Sequence, residues 1–187
     1  MNKRTKTLPR VGTWTNSNGV TFEITGIDPY ARNRCAVGVR ESWIKNGRDL
    51  PEVPTYTVTT VTGKVETYAH TKEEVANSTD EAAKSAWAQY EALQEEFNLE
   101  CNIAFGKRLM LSVKIDPLND AEWVKECTYL YGSLPDAPYR LMEDYFEDRV
   151  VRPGTSDATS LARAALLLGV VDEEVIKSIE KSFRDKV

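Results

Sequence analysis

The chain carries one histidine, His70, and three cysteines, Cys35, Cys101 and Cys127, the residue types that would serve nucleophilic or metal chemistry. A nucleophile needs a base within reach, and a metal site draws on several His and Cys ligands at close spacing. Here the four residues are scattered and no Cys-x-x-Cys pair occurs. His70 follows a strand-like segment and precedes a helix start, with no nucleophile motif beside it, which is the setting of a structural histidine. Glu95-Glu96, Glu143-Asp144 and Glu147-Asp148 have the groups for general acid–base work. Neighbours on a helix point about 100° apart, however, so each pair reads as a solvated face. Asp116-Pro-Leu-Asn119-Asp120 lacks the glycine and the closing glutamate of a calcium loop. The glycines never form a phosphate-binding GxGxxG or GxxxxGKS. The expectation is a protein that is not an enzyme, with no catalytic residue, cofactor site or metal ligand.

The aromatic residues are better organised. From about Thr79 to Val113 the chain runs without proline, acidic at first and apolar at its end. Trp87, Tyr90, Leu93 (or Gln94), Phe97, Cys101, Ala104 and Arg108 recur at three- and four-residue steps, the spacing of one helical face. This predicts a long helix over 80–108, capped by Asp80, that buries Trp87, Tyr90 and Phe97 against helices after Pro117. Such a helix is the spine of the fold or a docking surface.

The elements around it follow from local chemistry. Thr13-Trp14-Thr15 and Val20–Ile24 alternate about Asn16-Ser17-Asn18-Gly19, a hairpin signal because Asn and Gly tolerate positive φ. Asp28-Pro29 opens a helix over Tyr30–Ile44, which Asn46-Gly47 ends. Pro51 and Pro54 stiffen a connector, after which Thr55–Val61 and Lys64–Ala69 form a second hairpin about Thr62-Gly63. Thr71 with Glu74 fits a capping box. Pro117 ends the long helix, or a short strand Leu109–Ile115 after it. Asn119 or Asp120 caps Ala121–Leu130, and Gly132 closes it. Asp136-Ala137-Pro138 starts Tyr139–Val151, which Pro153-Gly154 stops. Thr155 or Ser156 caps Ala158–Leu168, Gly169 closes it, and Glu173–Arg184 forms a last helix with Val175, Ile179 and Phe183 on one face. On their helices Trp123, Tyr129, Tyr139, Tyr145 and Phe146 are expected mostly in the core. The fold class is α+β and mostly helical: a small N-terminal part with a β-hairpin, then a helical body with one long helix. The division falls near residue 50, with a hairpin, helix and basic tail over 1–50 and a hairpin plus helical body over 51–187.

Composition limits the partners. With 41% hydrophobic and 28% charged residues the chain has the makeup of a globular protein rather than a disordered one. No apolar run approaches the roughly 20 residues of a bilayer crossing, so no membrane partner is expected. The basic start MNKRTKTLPR leads into polar residues and not a signal core, and the odd cysteine count fits a reducing compartment. Residues 1–50 hold nine Lys/Arg against four Asp/Glu, and residues 51–187 hold fifteen against twenty-five. The acidic body repels nucleic acid, and the short basic tail reads as solvated. No nucleic-acid partner is expected.

Several segments carry a resemblance. Pro51-Glu-Val-Pro54-Thr-Tyr-Thr-Val-Thr, Gly63-Lys-Val-Glu, Asp80-Glu with Ala86-Trp87-Ala88-Gln-Tyr90-Glu-Ala92, Glu122-Trp123, and Leu168-Gly-Val-Val-Asp-Glu-Glu-Val with Glu180-Lys-Ser-Phe183-Arg resemble the tail assembly chaperone-like proteins of long-tailed bacteriophages. The resemblance covers most of residues 50–187. It implies a non-catalytic helper in the host cell cytoplasm that binds the tape-measure protein and promotes polymerisation of the tail-tube protein around it. Tape-measure proteins are long helical chains, so the expected dock is the acidic, aromatic helix, through Trp87, Tyr90, Glu91, Glu95 and Phe97. Two alternatives stand beside it: a structural component of the virion in the tail or neck, and an inhibitor of a host protein.

Overall fold

A computed structural model describes residues 10–170 and Lys181. The architecture is α+β and mostly helical, with two antiparallel hairpins in the N-terminal part followed by a helical body with a 30-residue helix. Two compact units divide it, residues 1–32 with 105–187, and residues 33–104. Residue 50, the expected point of division, falls inside the second unit. The expected last helix, Glu173–Arg184, lies outside the described residues.

The first unit begins with β1 (Val11–Thr15) paired to β2 (Thr21–Thr25), Trp14 opposite Phe22. Alternation sends Trp14, Phe22 and Ile24 to one buried face and leaves Thr13, Thr15, Thr21 and Glu23 in solvent. At the turn Gly19 adopts φ +78°. The Asn16 carboxamide oxygen accepts from the N–H groups of Asn18 and Val20, each at 3.0 Å, and its NH2 donates to the Arg149 carbonyl at 2.9 Å. This buried side chain therefore shapes the turn and ties the hairpin to a segment 133 residues away.

Helix α3 (Glu81–Met110) ends in this unit with Phe105, Leu109 and Met110 buried. No strand forms over Leu109–Ile115. The Ser112 and Val113 amides donate back to the Leu109 and Met110 carbonyls, which spends the donors a ladder would need. One antiparallel bridge, Ile24 to Val113, remains, through Thr25 N–H to the Ser112 carbonyl at 2.7 Å and Lys114 N–H to the Glu23 carbonyl at 2.9 Å. A 3-10 turn, Pro117–Asn119, precedes α4 (Ala121–Tyr131), capped by Asp120 accepting from Trp123 N–H and closed by Gly132 in the left-handed region. Of the two expected caps, Asp120 is the one used.

The segment expected as one helix to Val151 divides. α5 (Pro138–Tyr145) passes into a π turn, Phe146–Val150, in which Val151 N–H reaches the Phe146 carbonyl at 2.8 Å. Phe146 and Val150 are both buried, while Glu147 and Asp148 between them stay exposed. α6 (Asp157–Leu168) carries Leu161, Ala162, Ala165 and Leu166 into the core. Neither Thr155 nor Ser156 caps it in the expected manner: Ser156 sits at the cap position without a side-chain bond, and the Thr155 hydroxyl accepts only from Asp157 N–H.

Asp157, at the start of α6, is 3% exposed and ties three segments together. Its carboxylate accepts from Ser17 N–H at 2.9 Å, Ser17 Oγ–H at 2.8 Å and Arg152 N–H at 3.4 Å. Burial alone would raise this carboxyl. The bonds from Ser17, then Thr155 and Arg152, outweigh it and hold the group below the ordinary carboxylate range. At the other end of α6 the chain after β2 makes a close approach. Ile27 N–H donates to the Ala165 carbonyl at 2.9 Å, and a Cβ placed on Gly169 would sit 1.7 Å from the Ile27 carbonyl oxygen.

The second unit is organised by Trp43 on α1 (Ala31–Lys45), which is 1% exposed. Its indole N–H donates to Glu100 at 2.8 Å, Phe97 meets it edge-on at 5.2 Å, and the Arg48 guanidinium lies 3.7 Å over its ring. Arg48 also pairs with Glu100 at 2.6 Å and Glu96 at 2.7 Å. It arrives there because α1 closes with Gly47 at φ +68°, Gly47 N–H bonding the Ile44 carbonyl and Arg48 N–H the Trp43 carbonyl. The second hairpin pairs β3 (Thr55–Thr59) with β4 (Val65–Ala69), and the expected Thr71–Glu74 capping box starts α2 (Lys72–Asn77). Asp80 caps α3 by accepting from Ala82 and Ala83 N–H.

Candidate partner-binding surfaces

Of the residues singled out for chemistry, Cys35 and Cys101 lie near each other, and burial first and then Cys35 raise the Cys101 thiol. His70 rests its ring 4.7 Å from that of Tyr56 in the second hairpin, a packing role. Cys35 and Cys101 are half-buried, and Cys127 is buried in the other unit. Among the described residues no group of three or more His, Cys, Asp or Glu side chains is placed to hold a metal ion. No described helix is long and apolar enough to cross a membrane.

The face expected on α3 exists in outline. Trp87, Tyr90, Leu93, Gln94, Phe97, Cys101 and Ala104 are each half-buried, and Arg108 is exposed. The full burial expected of Trp87, Tyr90 and Phe97 does not hold. Phe97 packs on Trp43 of α1, and the fully buried residues of the helix are Phe105, Leu109 and Met110 at its end. Amphipathic spacing marks which side of a helix turns inward and is silent on what covers it. Of the five residues expected to bind a partner, Trp87 and Tyr90 touch each other with centroids 5.3 Å apart. Glu91 accepts from Lys72 at 2.8 Å, Glu95 is exposed, and Phe97 is spent on Trp43. The Glu91 carboxyl lies below its ordinary range, first through Lys72 and then through the nearby Trp87 indole. The Trp87 N–H is closed to solvent and has no acceptor in good hydrogen-bond geometry. This face is thus partly consumed by internal contacts.

A second surface lies wholly within the first unit. α4, the loop after it, α5 and the π turn enclose a groove of about 580 Å³. Its lining includes Cys127, Tyr131, Leu134 and Pro135, and it carries the carboxylates of Asp136, Asp144, Glu147 and Asp148 against the single cation Arg140. Asp148 accepts from the buried Trp123 indole N–H at 3.0 Å. Asp136, Asp144 and Glu147 have no ion pair or hydrogen bond to their side chains among the described residues. Arg149, which could have neutralised them, is held by Asp120 and Glu126 instead. The field is registered by the Cys127 thiol: burial raises its pKa, and Asp148, Glu126 and Asp144 push the same way.

The outer side of α4 is open. Tyr129 is 88% exposed and Tyr131 76% exposed, Leu130 is exposed as well, and so is Leu118 in the 3-10 turn before the helix. Of the aromatics expected in the core, Trp123 and Phe146 are there, Tyr145 is half-buried, and Tyr129 and Tyr139 are in solvent. The groove has no motif of its own in the sequence. Arg140, Asp144 and Asp148 do recur at four-residue steps, with Glu147 three after Asp144, the one local trace it leaves. Compared with protein-family models, curated proteins and solved structures, the chain matches none.

Proposed function

We propose that the protein is a non-catalytic assembly factor, a tail assembly chaperone of a long-tailed bacteriophage, working in the host cell cytoplasm. It holds the tape-measure protein while the tail-tube protein polymerises around it. The resemblance set out above names this role, and one structural observation supports a binding role of this kind. Asp136, Asp144 and Glu147 line a groove unpaired, together with Tyr131, exposed at the end of α4. Uncompensated carboxylates next to an open aromatic ring are poor economy for a surface that meets only water. They suit one that meets a partly basic helix, because aromatics anchor and charges steer.

Counts along the chain agree. Residues 71–101 hold eight Asp/Glu and two Lys/Arg, and residues 116–148 hold nine and two. Association is therefore expected to weaken with salt without vanishing, since apolar anchors supply most of the affinity. The test is co-expression with the tape-measure protein of the same phage and pull-down at low and high ionic strength. Co-purification that loosens in high salt, together with absence from purified particles by mass spectrometry, is the expected result. No co-purification at either salt, with both proteins soluble, would sink the chaperone role, and presence in particles would put a virion component in its place.

A further inference from the structure

We infer that the groove between α4 and the α5–π-turn segment is the seat for arginine side chains presented by a helical segment of a protein partner. The inference rests on the binding role proposed above and names the chemistry of its ligand. Two observations converge. The first is volume and shape: about 580 Å³, enough for more than one side chain, with Tyr131, Leu134 and Pro135 among its apolar lining. The second is charge: four lining carboxylates face one guanidinium, and three of the four have no partner.

Arginine fits this mixture better than any other side chain. Its aliphatic stem and flat guanidinium pack on an aromatic ring, and Tyr131 offers one at 76% exposure. Its planar fork binds a carboxylate through two parallel hydrogen bonds, and Asp144 and Glu147 are carboxylates within one helical turn of each other. Lysine supplies the charge without the plane, so a lysine segment should bind less well. Arg140 already lies in the lining and gives the groove a built-in cation that an incoming arginine must outcompete. That sets the expected affinity as moderate and strongly dependent on salt.

The probe is a fluorescently labelled, alanine-rich helical peptide with two arginines four residues apart, titrated by anisotropy into the full-length protein. Versions with lysine and with glutamine at those positions provide the comparison. Asp144→Asn/Glu147→Gln removes two unpaired charges from the groove, and Glu52→Gln/Glu73→Gln removes the same charge from exposed sites elsewhere. The arginine peptide should bind the parent at low salt, ahead of the lysine peptide and far ahead of the glutamine one. The groove variant should bind it about 10-fold or more weakly, and the distant variant about as the parent does. Equal weakening in both variants would show a general field and overturn the inference, as would failure of the parent to bind. A parent that sediments as a dimer while the groove variant is monomeric would assign the groove to a second copy and overturn it too. A positive titration with no tape-measure co-purification removes the phage role and leaves the groove. Co-purification with a negative titration removes the groove alone.

Discussion

Adding one methyl group at Gly169 tests the packing of the first unit more sharply than deleting a large side chain. Gly169 has φ −80°, so its backbone conformation is open to any residue. What excludes a side chain is the Ile27 carbonyl oxygen, 1.7 Å from where a Cβ would lie. Real Cβ contacts stop near 3.0 Å, so the two backbones must part by about 1.3 Å. No rotamer relieves this, because the opposing atom is main chain. The movement breaks the 2.9 Å bond from Ile27 N–H to the Ala165 carbonyl and loosens Ile27, Ala165 and Leu166, all buried. Overpacking costs about 1–3 kcal/mol and a stranded buried amide about 1–3 kcal/mol more, which gives roughly 2–6 kcal/mol for Gly169→Ala. Gly38→Ala in α1 and Gly106→Ala in α3 are the controls, since nothing lies within 4 Å of a Cβ at either. Both sit inside helices, where alanine gains about 0.5–1 kcal/mol over glycine. Urea unfolding followed by circular dichroism reads all three. A Gly169→Ala variant within about 1 kcal/mol of the parent, or three variants shifting in the same direction, would refute the close approach.

Two further outcomes are expected. Asp157 is depressed in the folded chain, so its contribution is present above the unfolded value of about 3.9 and is lost as pH falls through that region toward the lower folded value. Asp157→Asn should cost about 2 kcal/mol at neutral pH, through weakened bonds from Ser17, and should flatten the loss of stability as pH falls below the unfolded carboxyl value in acid titrations of the urea midpoint. Trp123→Phe removes the indole N–H that Asp148 accepts, and should lower stability by about 1–3 kcal/mol, read from the same urea curves, while sparing binding of the arginine peptide.

What the sequence made legible was what a few neighbouring residues decide. Thr71 and Glu74 satisfy each other's amides, Gly47 and Gly132 adopt positive φ at helix ends, and Pro138 starts α5, each within one turn of chain. The long helix was legible because one face repeats over seven positions. Its partners were not. Trp87 and Trp43 look alike in sequence, yet Trp43 is buried because Glu100, Phe97 and Arg48, 57, 54 and 5 residues away, converge on it. The π turn escaped for the same reason: Phe146 and Val150 both reach the core, and the helix widens to let them. The groove was least visible, since its lining depends on how α4 approaches α5, and its carboxylates have the composition of any solvated helix face.

The tethers of the first hairpin have a consequence for synthesis. A ribosome delivers Trp14, Asn16 and Ser17 early, but their partners Ser160, Arg149 and Asp157 come 146, 133 and 140 residues later. At about 5–20 residues per second the hairpin waits on the order of 10–30 s with Trp14 and Phe22 uncovered. In that interval residues 33–104 emerge complete, and Trp43 already has Glu100 to hold it. A nascent chain stalled before α6 therefore displays an apolar ribbon that the finished protein hides, and fragments ending there should be the ones that chaperones and proteases seize first.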